Sequence, residues 1–356
     1  CLTMLPRVRH GTMRWRNPLF GADRVVVEHH SALPASYRLQ EYRIERVLGF
    51  GGFGITYLAT DTNLHKQVAV KEYLPTAVAV RGANGAGVPP AGELADDFHW
   101  GLERFVEEAR VLARFRHPNL VPVHRFFEAN GTAYVVMDYE PGERLDEALR
   151  RMPGGMPQAQ ATALLNRLLD GLEAVHRAGY LHRDIKPANI ILHQDGTPVL
   201  LDFGAARQAL GRRSQLVTSI VTPGYAPLEQ YASDGNQGPW TDIYAVGALA
   251  HRLVTGAPPP EATLRARNDP YRSLEKRTLA GYAPEFLRAI DWALRVDEHE
   301  RPQTVREFRR ALLGDSVAAG SAAPLAGNTP KPTRAGAWRL ALAGLAVLLL
   351  AAGGGA

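Results

Sequence analysis

Four side chains within residues 180–204 have the types and spacing to act on a metal-bound phosphate: Asp184, Lys186, Asn189 and Asp202. They surround two short apolar runs, 190–192 and 199–201, and between the runs stands Asp195-Gly196, a dipeptide that favours a tight turn between paired strands. A hairpin of this kind brings Asp184, Asn189 and Asp202 to one mouth. Magnesium prefers oxygen ligands and commonly takes only one or two carboxylates beside phosphate oxygens, so one Asp and the Asn amide suffice to hold it. The other Asp is left to accept a proton from an attacking hydroxyl, and the neighbouring ammonium neutralises charge on a transferred phosphoryl group. The competing reading is a loop of scattered acids, and it leaves the number of matched positions unexplained.

The run His182-Arg183-Asp184-Ile185-Lys186-Pro187-Ala188-Asn189, followed by Asp202-Phe203-Gly204, resembles the signature of protein kinases, here of the bacterial eukaryotic-type Ser/Thr class. The resemblance extends over roughly residues 42–313. It implies an α+β, bilobal fold, in which a small antiparallel-sheet lobe with one main helix sits over a larger helical lobe and ATP lies in the cleft. It also implies roles. Asp184 orients a substrate hydroxyl and takes its proton, Lys186 steadies the γ-phosphate, and Asn189 and Asp202 hold Mg²⁺, or Mn²⁺ in its place. The Ser/Thr reading rests on Lys186 and on the small Thr222-Pro223-Gly224 segment.

These groups need elements to position them. A strand from Tyr42 runs into Leu48-Gly49-Phe50-Gly51-Gly52-Phe53-Gly54 and returns through residues 55–59. Glycines at 49, 51 and 54 let backbone N–H groups approach phosphates where a Cβ would obstruct. A lone GxGxxG is shared with dinucleotide folds, but there a helix follows the glycines at once, whereas here a strand follows and then Val68-Ala69-Val70-Lys71. By the resemblance Lys71 holds the α- and β-phosphates, and Thr56, where the family usually has Val, covers adenine with its methyl.

A carboxylate must hold Lys71. In residues 98–115 the apolar residues Phe98, Leu102, Phe105, Ala109 and Leu112 recur as on one helix face. Glu107 and Glu108 are about 100° apart there. Glu108 lies on the inward side and in the family's register relative to His117-Pro118. The connection over roughly 74–97 is longer than the family's usual one, and its Gly-, Pro- and Ala-rich part, 82–92, reads as a surface flap. Residues 119–123 and 134–137 read as the next strands, with Met137 at the gatekeeper position and Asp138-Tyr139-Glu140 as the hinge. The ATP-binding set implied is Leu48, Gly49, Phe50, Gly51, Gly52, Phe53, Gly54, Thr56, Ala69, Lys71, Glu108, Met137, Tyr139 and Ile191.

In the second lobe, residues 160–178 carry leucines at helical spacing and stop at Gly179, a suitable C-cap. The segment after Gly204 holds Ser214, Thr218, Ser219 and Thr222 and resembles an activation loop. Arg183 is the cation that a phosphate on it would engage, and autophosphorylation at Ser214, Thr218 or Ser219 is expected. Pro223 to Glu229 departs from the family's Ala-Pro-Glu, with Leu228 in the proline's place. Glu229 keeps the acidic position, with Arg301 as its expected partner, and Asp242 is expected to hold the catalytic-loop backbone.

The 356 residues carry a net charge of +5, but 36 of the 41 basic residues are arginine and none lies in an aromatic-interleaved stretch, so no nucleic-acid partner is expected. One cysteine excludes an intrachain disulfide. That cysteine is Cys1, which suggests either a missing start or the acylated residue of a processed lipoprotein. Residues 1–38 lack periodicity and read as flexible, 39–314 as the kinase domain, and 315–337, rich in Ala, Gly, Ser, Pro and Thr, as a tether. Residues 338–356 read as a single membrane span: 340–356 are seventeen residues without a charge, about 25 Å of helix against a core of about 30 Å. Lys331, Arg334 and Arg339 precede it, so the positive-inside rule keeps the kinase domain cytoplasmic, at the cell membrane. Protein substrates follow from the resemblance, with a homodimer as one route to phosphorylation in trans. Three other functions stay open: a pseudokinase scaffold, a small-molecule phosphotransferase, and a receptor acting through a domain beyond residue 356.

Overall fold

A computed structural model of the chain describes residues 30–76, 78–82, 87–88, 93–203, 222–232 and 234–313. The small lobe is built on a six-stranded antiparallel sheet, β1 (Arg38–Leu39), β2 (Tyr42–Gly51), β3 (Gly54–Asp61), β4 (Lys66–Tyr73), β7 (Val123–Ala129) and β8 (Thr132–Asp138), in the order β1-β2-β3-β4-β8-β7. Strand β4 sits in the interior of the sheet, and Val68, Ala69 and Val70 are buried, as a β-branched run between two neighbours requires. A two-stranded hairpin, β5 (Val80–Arg81) and β6 (Gly87–Val88), precedes helix α1 (Glu93–Leu112), which packs on β7 and β8.

Helix α1 starts earlier than residue 98. Its first turn carries exposed Leu94 and Asp96, so it adds no apolar stripe for periodicity to detect. Residues 119–123 form no strand of the sheet beyond Val123. Leu120 and Val121 are buried as the sequence suggests, but they bridge to the lower hairpin: Val121 N donates to Leu200 O at 3.1 Å and Leu200 N to Asn119 O at 2.9 Å. Packed structure also begins before residue 38. Leu33 is buried, and its N–H donates to the Tyr57 hydroxyl at 3.1 Å, a long-range contact with no periodic signature.

Below the sheet, β9 (Glu143–Arg144), β10 (Ile190–Leu192) and β11 (Pro198–Leu200) make a three-stranded sheet with β10 in the middle. The larger lobe continues with α2 (Leu145–Arg150), α3 (Gln158–Arg177), α4 (Pro239–Thr255), α5 (Ala262–Arg267), α6 (Pro284–Ala293) and α7 (Val305–Leu313). Helix α4 is the lobe's axis: residues 241–251 are all buried, between α3, α6 and α7. Pro239 opens it, where a missing N–H costs nothing.

Glu229 and Arg301 tie the end of the 222–232 segment to this lobe. Both are buried, their forked contacts measure 2.7 and 3.1 Å, and Arg301 also donates to the carbonyls of Arg295 and Val296, each at 2.7 Å. Arg301→Ala leaves the Glu229 carboxylate buried without its cation, and we expect a loss of about 3–5 kcal/mol. Urea melts measure it; a loss below about 1 kcal/mol would remove this pair from the fold's supports.

Burial pushes the His251 imidazole down to about 4, while its Nδ1–H is spent on the Ala257 carbonyl at 2.9 Å. Burial lowers His182 and His117 in the same direction. The unfolded chain therefore binds protons first, so the stabilisation is full above about pH 6.5 and is lost as pH falls toward 4, by on the order of 3 kcal/mol for His251 alone. His251→Gln should flatten the stability profile between pH 6.5 and 4, and an unchanged slope would contradict this.

Candidate active site

The loop entering β10 is held from below by Asp242, in the first turn of α4 and wholly buried. Its carboxylate accepts the N–H groups of His182 (2.8 Å) and Arg183 (2.7 Å) and lies 2.8 Å from His176 Nε2. Burial opposes its charge, but the His176 and backbone contacts hold its pKa below the usual carboxylate value. Arg183 takes a left-handed backbone, φ +69°, which a non-glycine residue adopts only where its surroundings impose it. Here Asp242 fixes its N–H and Gln230 Nε2 donates to its carbonyl at 2.9 Å. His182 is buried, its Nε2 lies 2.9 Å from Leu201 O, and its ring packs on Phe203, which stacks on Phe115. This clamp holds the two ends of the hairpin, next to which Asp184 and Asp202 stand.

Around Asp184 several side chains are in contact. Lys186 Nζ lies 2.9 Å from Asp184 Oδ1 and 3.0 Å from Thr222 Oγ1, and that hydroxyl stands 3.3 Å from the same carboxylate oxygen. Asn189 Nδ2 donates to Asp184 Oδ2 at 2.7 Å and to its carbonyl at 2.9 Å. With its amide nitrogen spent there, the Asn189 oxygen is left as an acceptor. One contact has no signal in the sequence: Thr222 stands out there as part of the activation segment and of the Thr222-Pro223-Gly224 run, and no spacing rule places its hydroxyl on Lys186. Ser214, Thr218, Ser219 and Gly204 lie outside the described residues.

On the sheet side, register places Thr56 opposite Lys71 and Ala69 opposite Met137, so these four share the face toward the cleft. Lys71 Nζ lies 2.9 Å from Asp202 Oδ1 and over the Phe105 ring. Glu108, expected to hold Lys71, is buried on α1, and Asp202 also offers the Lys71 ammonium a carboxylate at hydrogen-bonding distance. Leu48, Gly49, Phe50 and Gly51 end β2 and Gly52-Phe53 make the turn into β3, and a Cβ at 49, 51 or 52 would meet no protein atom within 4 Å. Gly54 differs: its φ is +153° and a Cβ would come 1.9 Å from Glu72 O. Tyr139 follows β8, and Ile191, central in β10, underlies Gly142.

The metal-binding donors fit a phosphate-bound divalent cation. Among the described residues no group of three or more His, Cys, Asp or Glu could hold a metal. Asn189 and Asp202 supply two oxygen ligands, the number suited to a cation that keeps phosphate oxygens and water.

An antiparallel lobe and a helical lobe, with Lys71 paired to Asp202 and with Asp184, Lys186 and Asn189 in contact, define a fold and site of the protein kinase type. Residues 42–311 match the family model of the protein kinase domain, and the chain belongs to that family. It is 34% identical over 282 residues to serine/threonine-protein kinase PknA of Nostoc sp., covering 76% of this chain and 46% of that protein. It is 31% identical over 309 residues to serine/threonine-protein kinase pkn2 of Myxococcus xanthus, covering 82% and 35%. The solved structure of PpkA-294 in its apo form matches with a TM-score of 0.74 at 42% identity, over 79% of this chain and 99% of that one. The chain spans about half the length, or less, of the curated relatives it matches.

Proposed function

We propose that the chain transfers the γ-phosphate of ATP to Ser and Thr hydroxyls of proteins, its own activation segment included, in bacterial signalling. The observation that carries this is the set around Asp184: a carboxylate held by Lys186 and Asn189 and facing the pair of Lys71 and Asp202 across the cleft. The names of the related proteins, all serine/threonine-protein kinases, support the same activity.

Asp184 orients the incoming hydroxyl and accepts its proton as the oxygen bonds to the γ-phosphorus. The bond from that phosphorus to the β–γ bridging oxygen breaks, and ADP leaves with the electron pair. Lys186, 2.9 Å from Asp184, places its charge against the transferred group. Lys71 binds the α- and β-phosphates. Asn189 and Asp202 would hold the divalent cation, for which we propose Mg²⁺; when bound it supplies charge neutralisation across the phosphates. Thr222, bonded to both Lys186 and Asp184, belongs to the same machinery.

The experiment incubates the full chain with labelled ATP and Mg²⁺, alone and with a generic protein substrate, and analyses the phosphoamino acids. Phosphoserine or phosphothreonine is expected, with Ser214, Thr218 or Ser219 among the sites. Asp184→Ala should lower turnover by about 10²–10⁴-fold with the fold intact; activity within a few-fold of the parent would remove Asp184 from this role.

We further propose that residues 338–356 anchor the chain in the cell membrane with the kinase domain on the cytoplasmic side. The support is the uncharged run 340–356 behind three basic residues. Among the described residues no helix is long and apolar enough to cross a membrane, and 338–356 lies outside them. The chain should sediment with membranes and resist extraction by salt or alkali, and deletion of 338–356 should release it. Quantitative release of the intact chain by alkali would refute the anchor.

A further inference from the structure

The face of the small sheet that points away from the cleft hides a charged network. By register Ile55, Tyr57, Val70, Glu72, Tyr134 and Val136 share that face. Tyr57, Glu72 and Tyr134 are wholly buried. The Glu72 carboxylate accepts the Tyr57 hydroxyl at 2.7 Å and the Tyr134 hydroxyl at 2.6 Å, and it pairs with the Arg81 guanidinium. Arg81 comes from β5, in the long connection between β4 and α1, and its Nε donates to Ser31 O at 2.5 Å. Burial works against the Arg81 charge, yet the hydrogen bond and charge of Glu72 hold its pKa above the ordinary guanidinium value. A carboxylate so buried is tolerated because the cation and two hydroxyls meet it there.

The neighbours of Glu72 all bear on the nucleotide. Lys71 points to the other face and meets Asp202. Tyr73 packs between Phe98 and Phe105 of α1, and its hydroxyl donates to Phe98 O at 3.2 Å. Just past the strand, Leu74 N donates to Phe53 O at 3.1 Å and Thr76 N to Gly52 O at 3.2 Å, so the glycine turn hangs from the same junction. Gly54 has no side chain because the Glu72 carbonyl occupies that space. A displacement of Glu72 would therefore move the phosphate-binding lysine, the glycine turn and the packing of α1 together.

We propose that Arg81, through its buried ion pair with Glu72, is a positioning residue for ATP: it holds Lys71 and the Gly52–Gly54 turn at the spacing the phosphates require. The proposal rests on the kinase reading above. The added connection, which begins as an interruption between strand and helix, supplies the support that a bare outer sheet face would lack.

The test compares full-length Arg81→Met, Arg81→Lys and Arg81→Met/Glu72→Gln chains with the parent, measuring KM for ATP, KM for a peptide substrate, and Kd for a non-hydrolysable ATP analogue. Arg81→Met should raise the KM for ATP and the analogue Kd about ten-fold, since small misplacements of binding groups cost that much or more, while the peptide KM stays within two-fold. Arg81→Lys should recover most of the loss by returning the charge, and the double variant should recover part of it by removing the unpaired carboxylate. Arg301→Ala, weakened in the other lobe, should leave the KM for ATP unchanged. If Arg81→Met does not fold, Tyr134→Phe takes its place and should raise the analogue Kd about three-fold by withdrawing one donor from Glu72. Unchanged ATP affinity, or ATP and peptide constants that rise in parallel as in a general loss of structure, would overturn the proposal. A parent chain that binds the analogue but transfers no phosphate would instead overturn the kinase reading, and the analogue Kd would still decide the role of Arg81.

Discussion

The arrangement of the molecule depends on one meeting of opposite charges, Lys71 from the upper sheet with Asp202 from the end of the lower hairpin. Each residue is held by a separate scaffold. Lys71 lies on an interior strand and is paired on both sides, and Asp202 lies beside Phe203, which is packed against His182 and Phe115. A charge pair between partly exposed groups contributes little to stability. Its importance is geometric, because it joins the upper sheet to the end of the lower hairpin.

Polar groups in this fold are buried where they set backbone geometry. Asp242 takes two backbone N–H groups that no helix or sheet would satisfy, Glu229 and Arg301 fix the end of a long segment, and Glu72 with Arg81 fixes the start of another. Desolvation makes each arrangement costly to leave half made, so each acts as a specific lock. The buried imidazoles behave differently. They are neutral in the folded chain, so they make the molecule sensitive to acid without taking part in the reaction.

Much of the site was legible from the sequence because local chemistry dictates it. Asp195-Gly196 between two apolar runs specifies a hairpin, and the hairpin brings Asp184, Asn189 and Asp202 together. The glycines followed by a strand rather than a helix separated one phosphate loop from another. Contacts between distant segments left no periodic trace. Thr222 reaches Lys186 across 36 residues, Leu33 reaches Tyr57 across 24, and His176 reaches Asp242 across 66. Residues 119–123 read as a sheet strand from the sequence, but only Val123 belongs to one, and 119–121 pair instead with Leu200 of the other lobe. The outer-face network was hidden for a related reason: a Glu following a Lys on a strand reads as solvent-facing until a segment is known to cover it.

The seam between the lobes has a mechanical consequence. The covalent passage through residues 138–142 is joined by a hydrogen-bonded one, where 119–121 pairs with Leu200, and Asp138 N donates to Pro122 O at 3.0 Å, so the two run side by side. Two adjacent attachments define an axle. A rotation about that axle would displace each part of the small lobe in proportion to its distance from 138–142, and it would have to part Lys71 from Asp202.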